Sequence, residues 1–320
     1  MKKMKIILII AGILCSVGLL TCAVSWFVLG MDYTRLDLSE NLNEQAYTAA
    51  VDEVTEIQVD SKNYGVQVVQ STDADIHLRY FLNDTVDAVI ENNGGRLQLA
   101  YQDRWNWRNM FQMFRGLKNI KNVITVQVPL GYPGEIMIKS DNGRIWAEDL
   151  RVGNNLVMES ENAGVILEDV VCNGVKVLSR NGAVSGEDVR ATNTLIFTAE
   201  NGRISLESVY ANRFELTSEN GRITVEESTA AEKASIKNQN GSIKLEQIAS
   251  RDFDFQNENG SISGTIAGRK EEYQINCTTK NGSCNLENRL DKSAPCILQA
   301  RSENGSIRLK FEEPVRTYDD

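Results

Sequence analysis

The chain has 320 residues, 42% of them apolar and 24% charged, with a formal net charge of −10 at pH 7. That is enough apolar material for one large core or two small ones. The negative balance excludes a nucleic-acid partner, which needs a basic face, and argues against lying flat on anionic lipid.

Residues 1–5 carry Lys2, Lys3 and Lys5, and residues 6–31 are uncharged. At about 1.5 Å per residue that run is long enough to cross a ~30 Å hydrocarbon core, so it predicts a membrane anchor through the lipid bilayer. The positive-inside rule then leaves the N-terminus cytoplasmic and the C-terminal part outside. A cleaved signal peptide ending near Ala23-Val24-Ser25 and a lipid-modified Cys22 are the other readings of this stretch. Residues 32–50 are polar and read as a stalk.

From 51 to 134 short alternating runs predict a β-rich cap, including Val54-Thr-Glu-Ile-Gln-Val59 and Val123-Ile-Thr-Val-Gln-Val128. His77, the sole histidine, stands in such a run with no visible Ser or Cys partner, so a catalytic triad is not expected. Within the cap, 104–115 gathers Trp105, Trp107, Met110, Phe111, Met113 and Phe114 among three arginines. These residues either plug the end of the fold or form a patch for lipid headgroups or a protein partner.

The rest of the chain, 135–312, writes one pattern nine times, before a short tail at 313–320. Asn recurs at 142, 162, 181, 201, 220, 240, 259, 281 and 304, spaced by 19 to 23 residues and followed by Gly at every copy except Ala163. A fixed period in this range marks a stacked-repeat fold. Apolar residues fill the positions six and four before each Asn, from Ile136 and Ile138 to Leu298 and Ala300, and three and five after it. Spacing by two on both sides of a turn is the strand period. Because the columns match in size and polarity, copy must lie on copy at the strand spacing of about 4.8 Å. The expectation is an all-β, parallel β-solenoid of about nine coils, right-handed by the chirality of crossovers. At each corner Gly is expected to supply a positive φ, and the asparagine amides to bond in a ladder along the rod. Asn63-Tyr64-Gly65 and Asn93-Gly94-Gly95 resemble degenerate corners of a first, covering layer.

Six cysteines do not form a disulfide framework by their spacing. Cys277 and Cys284 fall in inward columns as small core residues, although they flank one corner closely enough for a bond to be conceivable.

These features resemble the bacterial "putative adhesin" family of unknown function, which includes LiaG-like envelope proteins. The likeness spans roughly 52–312. It is carried by the 54–59 and 123–129 strands, the Trp/Phe-rich insert, and coils such as Ser140-Asp-Asn-Gly-Arg-Ile145 and Ser302-Glu-Asn-Gly-Ser-Ile307. The resemblance implies a β-solenoid outside a cell membrane, sometimes near envelope-stress systems, and brings no catalytic residues. The chain departs from the pattern at Ala163 and in longer links at 268–274 and 288–297.

For chemistry the strongest feature is a carboxylate column six residues after the Asn, which includes Glu148, Glu168, Glu187, Glu207, Glu226, Glu246 and Glu287. It reads as a solvated edge, then as a weak calcium site, then as the acid and base of a glycan hydrolase or lyase. That last use needs two carboxylates in unlike environments, whereas these repeat in like ones. Arg144, Arg203 and Arg222 lie two residues after their Asn beside a polar Ser/Thr face suited to a cell-wall glycan or another envelope protein. The expected function is a membrane-anchored, extracytoplasmic binding or adhesion module without catalysis, cofactor or metal. The alternatives are a glycan-active enzyme using the solenoid carboxylates and a self-associating structural rod. Candidate binding residues are Arg144, Arg203, Arg222, Glu168, Glu187, Glu207, Trp105, Trp107 and Phe111.

Overall fold

A computed structural model describes residues 11, 12, 14–21, 24, 43–82, 86–103 and 123–313. The chain divides into two compact units, 1–42 and 43–320. In the first, the described residues are helical and exposed, and Ser16 and Thr21 donate back to the carbonyls of Gly12 and Gly18. Among the described residues no helix is long and apolar enough to cross a membrane. The single span expected over 6–31 is therefore not seen as one, and the remainder of that stretch lies outside the described residues.

The second unit is a parallel β-solenoid. It opens with strands β1 (Asn43–Ala50), β2 (Glu56–Asp60), β3 (Gly65–Gln70), β4 (Asp75–Leu82), β5 (Val86–Asn93), β6 (Arg96–Asp103) and β7 (Val123–Val128). The repeats begin with β8 (Glu135–Ser140) and β9 (Ile145–Arg151), which flank Asn142. Eight Asn coils carry a strand on both sides of the corner. The Asn281 coil has one strand, Tyr273–Thr279, and on its other side only a single bridge, Cys284 to Ile307. The expected nine coils are thus eight full turns and an incomplete outermost one. All nine residues in each of the two columns before the Asn are buried, as predicted, from Ile136 to Leu298 and from Ile138 to Ala300.

Six of the coils have a third side. Within or just after the second strand the backbone turns through a left-handed residue seven positions past the Asn: Asp149, Asp169, Asp188, Ser208, Glu227 and Gln247, with φ between 47° and 54°. Asp tolerates that region better than most residues, which explains the acidic residues beside the Glu column. A short third side follows, burying Leu150, Val170, Val189, Val209 and Ile248.

The corner works differently from the expectation. None of the glycines after Asn has a positive φ; they are required because the next coil lies against them. A Cβ on Gly202 would come within 1.8 Å of the Gly182 carbonyl oxygen, and one on Gly143 within 1.9 Å of that of Tyr64. The corner is tied from within by a column two residues before the Asn, largely Ser or Asn and buried. Ser218 donates to the Gly221 carbonyl and accepts from its N–H; Asn238 donates to Gly221 and accepts from the Gly241 N–H. Outside, the predicted amide ladder is present. Asn142 donates to Asn63, and the chain of bonds continues upward at 2.8–2.9 Å through Asn162, Asn181, Asn201, Asn220, Asn240 and Asn259.

The ladder then leaves chain order. Asn304 donates to Asn259, and Asn281 donates to Asn304. The last coil of the chain, with strands Cys296–Ser302 and Ile307–Glu312, is therefore inserted beneath the one that precedes it. The start of the unit does the same: β2 lies between β6 and β8, and β3 between β7 and β9. Both terminal coils are held one layer in from the rod's ends.

Two expectations about the cap change. Asn93 precedes a hairpin turn, not a corner, since β5 and β6 are antiparallel and Gly94 and Gly95 both have positive φ. The polar stretch thought to be stalk becomes a strand from Asn43, because β1 pairs antiparallel with β4 and buries Ala49. The Trp/Phe-rich insert lies outside the described residues. At the far end, a strap from 288 covers the open edge of Tyr273–Thr279. Arg289 exchanges both backbone bonds with Ile275, and the Asn288 side chain accepts from the Cys277 N–H. A covered edge is what keeps rods from joining end to end.

Candidate functional site

The outward face of the second side presents three rows of side chains, because alternate residues of a strand point the same way. The middle row runs in register through Trp146, Ile166, Ser185, Ser205, Thr224, Lys244 and Ser263. One flanking row is the carboxylate column, with Glu148, Glu168, Glu187, Glu207, Glu226 and Glu246 directly opposite one another. Its repulsion is relieved at both ends. Gln67 donates to Glu148, and Lys244 Nζ lies 3.2 Å from Glu226 and 3.4 Å from Glu246. Contact with Glu226, and then Glu246, holds the Lys244 ammonium above its ordinary pKa. Glu287, expected at the end of this row, belongs instead to the outermost coil, two layers beyond the Asn259 coil.

The other flanking row is Arg144, Gly164, Ala183, Arg203, Arg222 and Ser242. It is stacked by backbone bonds from each following residue to the next coil, such as Val165 N–H to Ala183 and Ile204 N–H to Arg222, both 2.9 Å. Gly164 and Ala183 interrupt the arginines and leave a notch of 440 Å³. Arg144, Arg203 and Arg222 line it, over a floor that includes Ile166, Ser185, Ser205 and Thr224. The three arginines predicted as binding residues are thus brought together. Glu168, Glu187 and Glu207 share their face, four residues along the strand and so roughly 13 Å away. Trp105, Trp107 and Phe111 lie outside the described residues. The sequence row of arginines was visible; the two small residues that turn it into a concavity were not recognised as a feature.

Several cations of the coils are paired with acids, while Arg190, Arg251, Arg301 and Arg308, like the notch arginines, have no carboxylate within 4.0 Å among the described residues. Arg180 reaches Glu161 and Glu200, Arg213 reaches Glu232, Lys233 reaches Asp252 and Arg151 reaches Asp169, each on a neighbouring coil. Arg144, Arg203 and Arg222 have no carboxylate within 4.0 Å among the described residues, and Arg222 Nε donates to Ser242 Oγ at 3.0 Å. Among the described residues no group of three or more His, Cys, Asp and Glu gathers as a metal site.

His77 gains partners that the sequence does not show. Its Nε2 donates to Asp73 at 2.8 Å, and its Nδ1 lies 3.0 Å from the hydroxyl of Thr48, directly opposite on β1. The group fastens the edge strand. His77, with the Asp75 N–H and the Ser71 hydroxyl, lowers the Asp73 carboxyl to about 2. A depressed carboxylate stabilises the fold above its unfolded pKa and loses that contribution as pH falls through the folded value. Asp73→Asn is therefore expected to lower the melting midpoint at pH 5, with the gap to wild type closing between pH 4 and pH 2. A gap that stays constant over that range would count against the linkage.

The family model described as Toastrack DUF4097 matches residues 54–318. No curated protein matches the sequence. Among solved structures, a "putative lipid binding protein" from Parabacteroides distasonis shares the fold at a TM-score of 0.52 and 15% identity, covering 85% of this chain and 98% of its own. A "putative adhesin" from the same organism aligns at 0.47 and 13%, covering 85% and 98%. Another from Bacteroides fragilis aligns at 0.44 and 16%, covering 84% and 97%.

Proposed function

The chain belongs to the Toastrack DUF4097 family, and on that premise we propose that it is a non-catalytic, extracytoplasmic binding module that holds an extended glycan along the outward face of its solenoid. The observation that carries this reading is the notch: three arginines with no carboxylate partner among the described residues, set over a hydroxyl-lined sheet face. Stacked hydroxyls suit a repetitive polymer, since Ser185, Ser205 and Thr224 offer a donor and acceptor in each of three successive layers. The uncharged run 6–31 would tether the module to the membrane with residues 1–5 in the cytoplasm. The Cys277–Cys284 disulfide supports an oxidising location. Neighbours described as adhesins or as lipid binding suit a surface-binding role.

The enzymatic alternative has less support, because the carboxylates sit in register in like surroundings and nothing divides them into acid and base. Self-association is opposed by the strap over the end of the rod. The test is to incubate the full-length chain in detergent with labelled cell-wall glycans. Retention without change in polymer length is expected, and Arg203→Ala should weaken it about tenfold. Shortened products would replace the binder with an enzyme.

A further inference from the structure

Resting on the glycan reading, we propose that the notch selects a sugar or polyol polymer bearing a phosphate in each repeat, with the phosphate seated between Arg203 and Arg222. Their backbones occupy adjacent layers, about 4.8 Å apart, so two like charges are held side by side. Other cations are paired across layers, as at Arg180 between Glu161 and Glu200. With 44 acidic residues against 34 basic ones, acids to do the same here are plentiful, yet this row has none.

The geometry also favours phosphate over carboxylate. Arg222 spends Nε on Ser242, which leaves its terminal nitrogens for an outside acceptor. A carboxylate has two oxygens in one plane and serves one guanidinium fork, whereas the oxygens of a tetrahedral phosphate diverge and reach forks in two layers. Arg144 stands three layers from Arg203, roughly 14 Å away at the backbone, across the space left by Gly164 and Ala183. That space admits the uncharged part of the repeat, which rests on Ile166 and Ser185.

The Glu row sets the other half of the selection. It accepts hydroxyl donors from a sugar or polyol and repels a second line of negative charge. Inorganic polyphosphate, nucleic acid and an anionic lipid surface all bring charge to both sides of the face, and so are disfavoured.

The experiment titrates the full-length chain in detergent with poly(glycerol phosphate), dextran, polygalacturonate and inorganic polyphosphate. Poly(glycerol phosphate) is expected to bind tightest, with affinity falling as salt rises. The double variant Arg203→Ala/Arg222→Ala should lose about tenfold or more. Ala183→Leu, which fills the notch from a half-exposed position, should lose a similar factor with its melting midpoint unchanged. Equal binding of polygalacturonate would overturn the phosphate assignment, and equal binding of dextran the role of charge. Equal binding of polyphosphate would overturn the role of the sugar or polyol. In each case the glycan reading survives unless dextran and polygalacturonate are both refused. Poly(glycerol phosphate) binding that ignores both variants would place the ligand elsewhere. Refusal of every polymer would remove the underlying reading as well.

Discussion

Gly221→Ala is expected to destabilise the solenoid by about 3 kcal/mol or more, with the rod opening at that layer. The added methyl would fall 1.9 Å from the Gly202 carbonyl oxygen and 2.5 Å from its carbon. These are backbone atoms of the neighbouring coil, so no side chain can swing aside. The coils must separate, which strains the Asn201–Asn220 amide bond and the buried hydroxyl tie from Ser218 to Gly202 and Gly221. Gly164→Ala provides the contrast, because its Cβ would meet only the Ala183 oxygen, at 3.1 Å. Urea denaturation of the two variants should show a large loss for the first and under about 1 kcal/mol for the second. Equal losses would mean that chain flexibility, not layer contact, explains the corner glycine.

Opening the Cys277–Cys284 bond is expected to cost about 2 to 3 kcal/mol, confined to one end of the rod. The bond joins residues 7 apart with Cα atoms separated by 6.4 Å and closes the corner of the outermost coil. Beyond that coil lies only the strap at Asn288 and Arg289 among the described residues, and Cys284 and Leu286 are only half-buried. The outermost coil holds to the Asn304 coil through backbone pairing, the Asn281–Asn304 bond, the Lys280–Glu303 pair at 2.7 Å and the reciprocal Asn285–Leu309 bonds. With the double variant Cys277→Ser/Cys284→Ser, hydrogen exchange should quicken first across 273–287 and then across 296–302. The Asn142 to Asn240 coils should be unchanged, since each layer leans only on its neighbours. Uniform acceleration along the chain would contradict a local clamp.

The layered core was legible because its columns are set by contact with copies of themselves. An apolar residue at Ile136 or Phe214 must face the same interior whichever coil lies above it. For the same reason the order of the end coils was not legible: Asn304 fits against Asn259 as well as Asn281 would. The only trace is the pair of long links at 268–274 and 288–297, which give the chain room to pass over one layer and return. At Gly221 the sequence predicts a positive φ that the fold does not use, because a sequence shows that a corner exists, not how near the adjacent backbone runs. The notch was half legible. Arg144, Arg203 and Arg222 stand out in a column, but the function of Gly164 and Ala183 lies in side chains they lack. Pairing of Thr48 with His77 depended on β1, a strand of ordinary polar composition fixed by its tertiary partner rather than by its own pattern.

The placement of the β2–β3 coil and of the Asn304 coil beneath a covering layer limits how such a protein can grow. A duplicated repeat spliced on after residue 312 would find its first strand shut out, because both sides of Cys296–Ser302 are already paired. One spliced between the Asn181 and Asn201 coils would lengthen the ladder by a rung and disturb neither closure. Length variation among such rods is therefore expected to come from midsection duplications, with the two ends inherited intact.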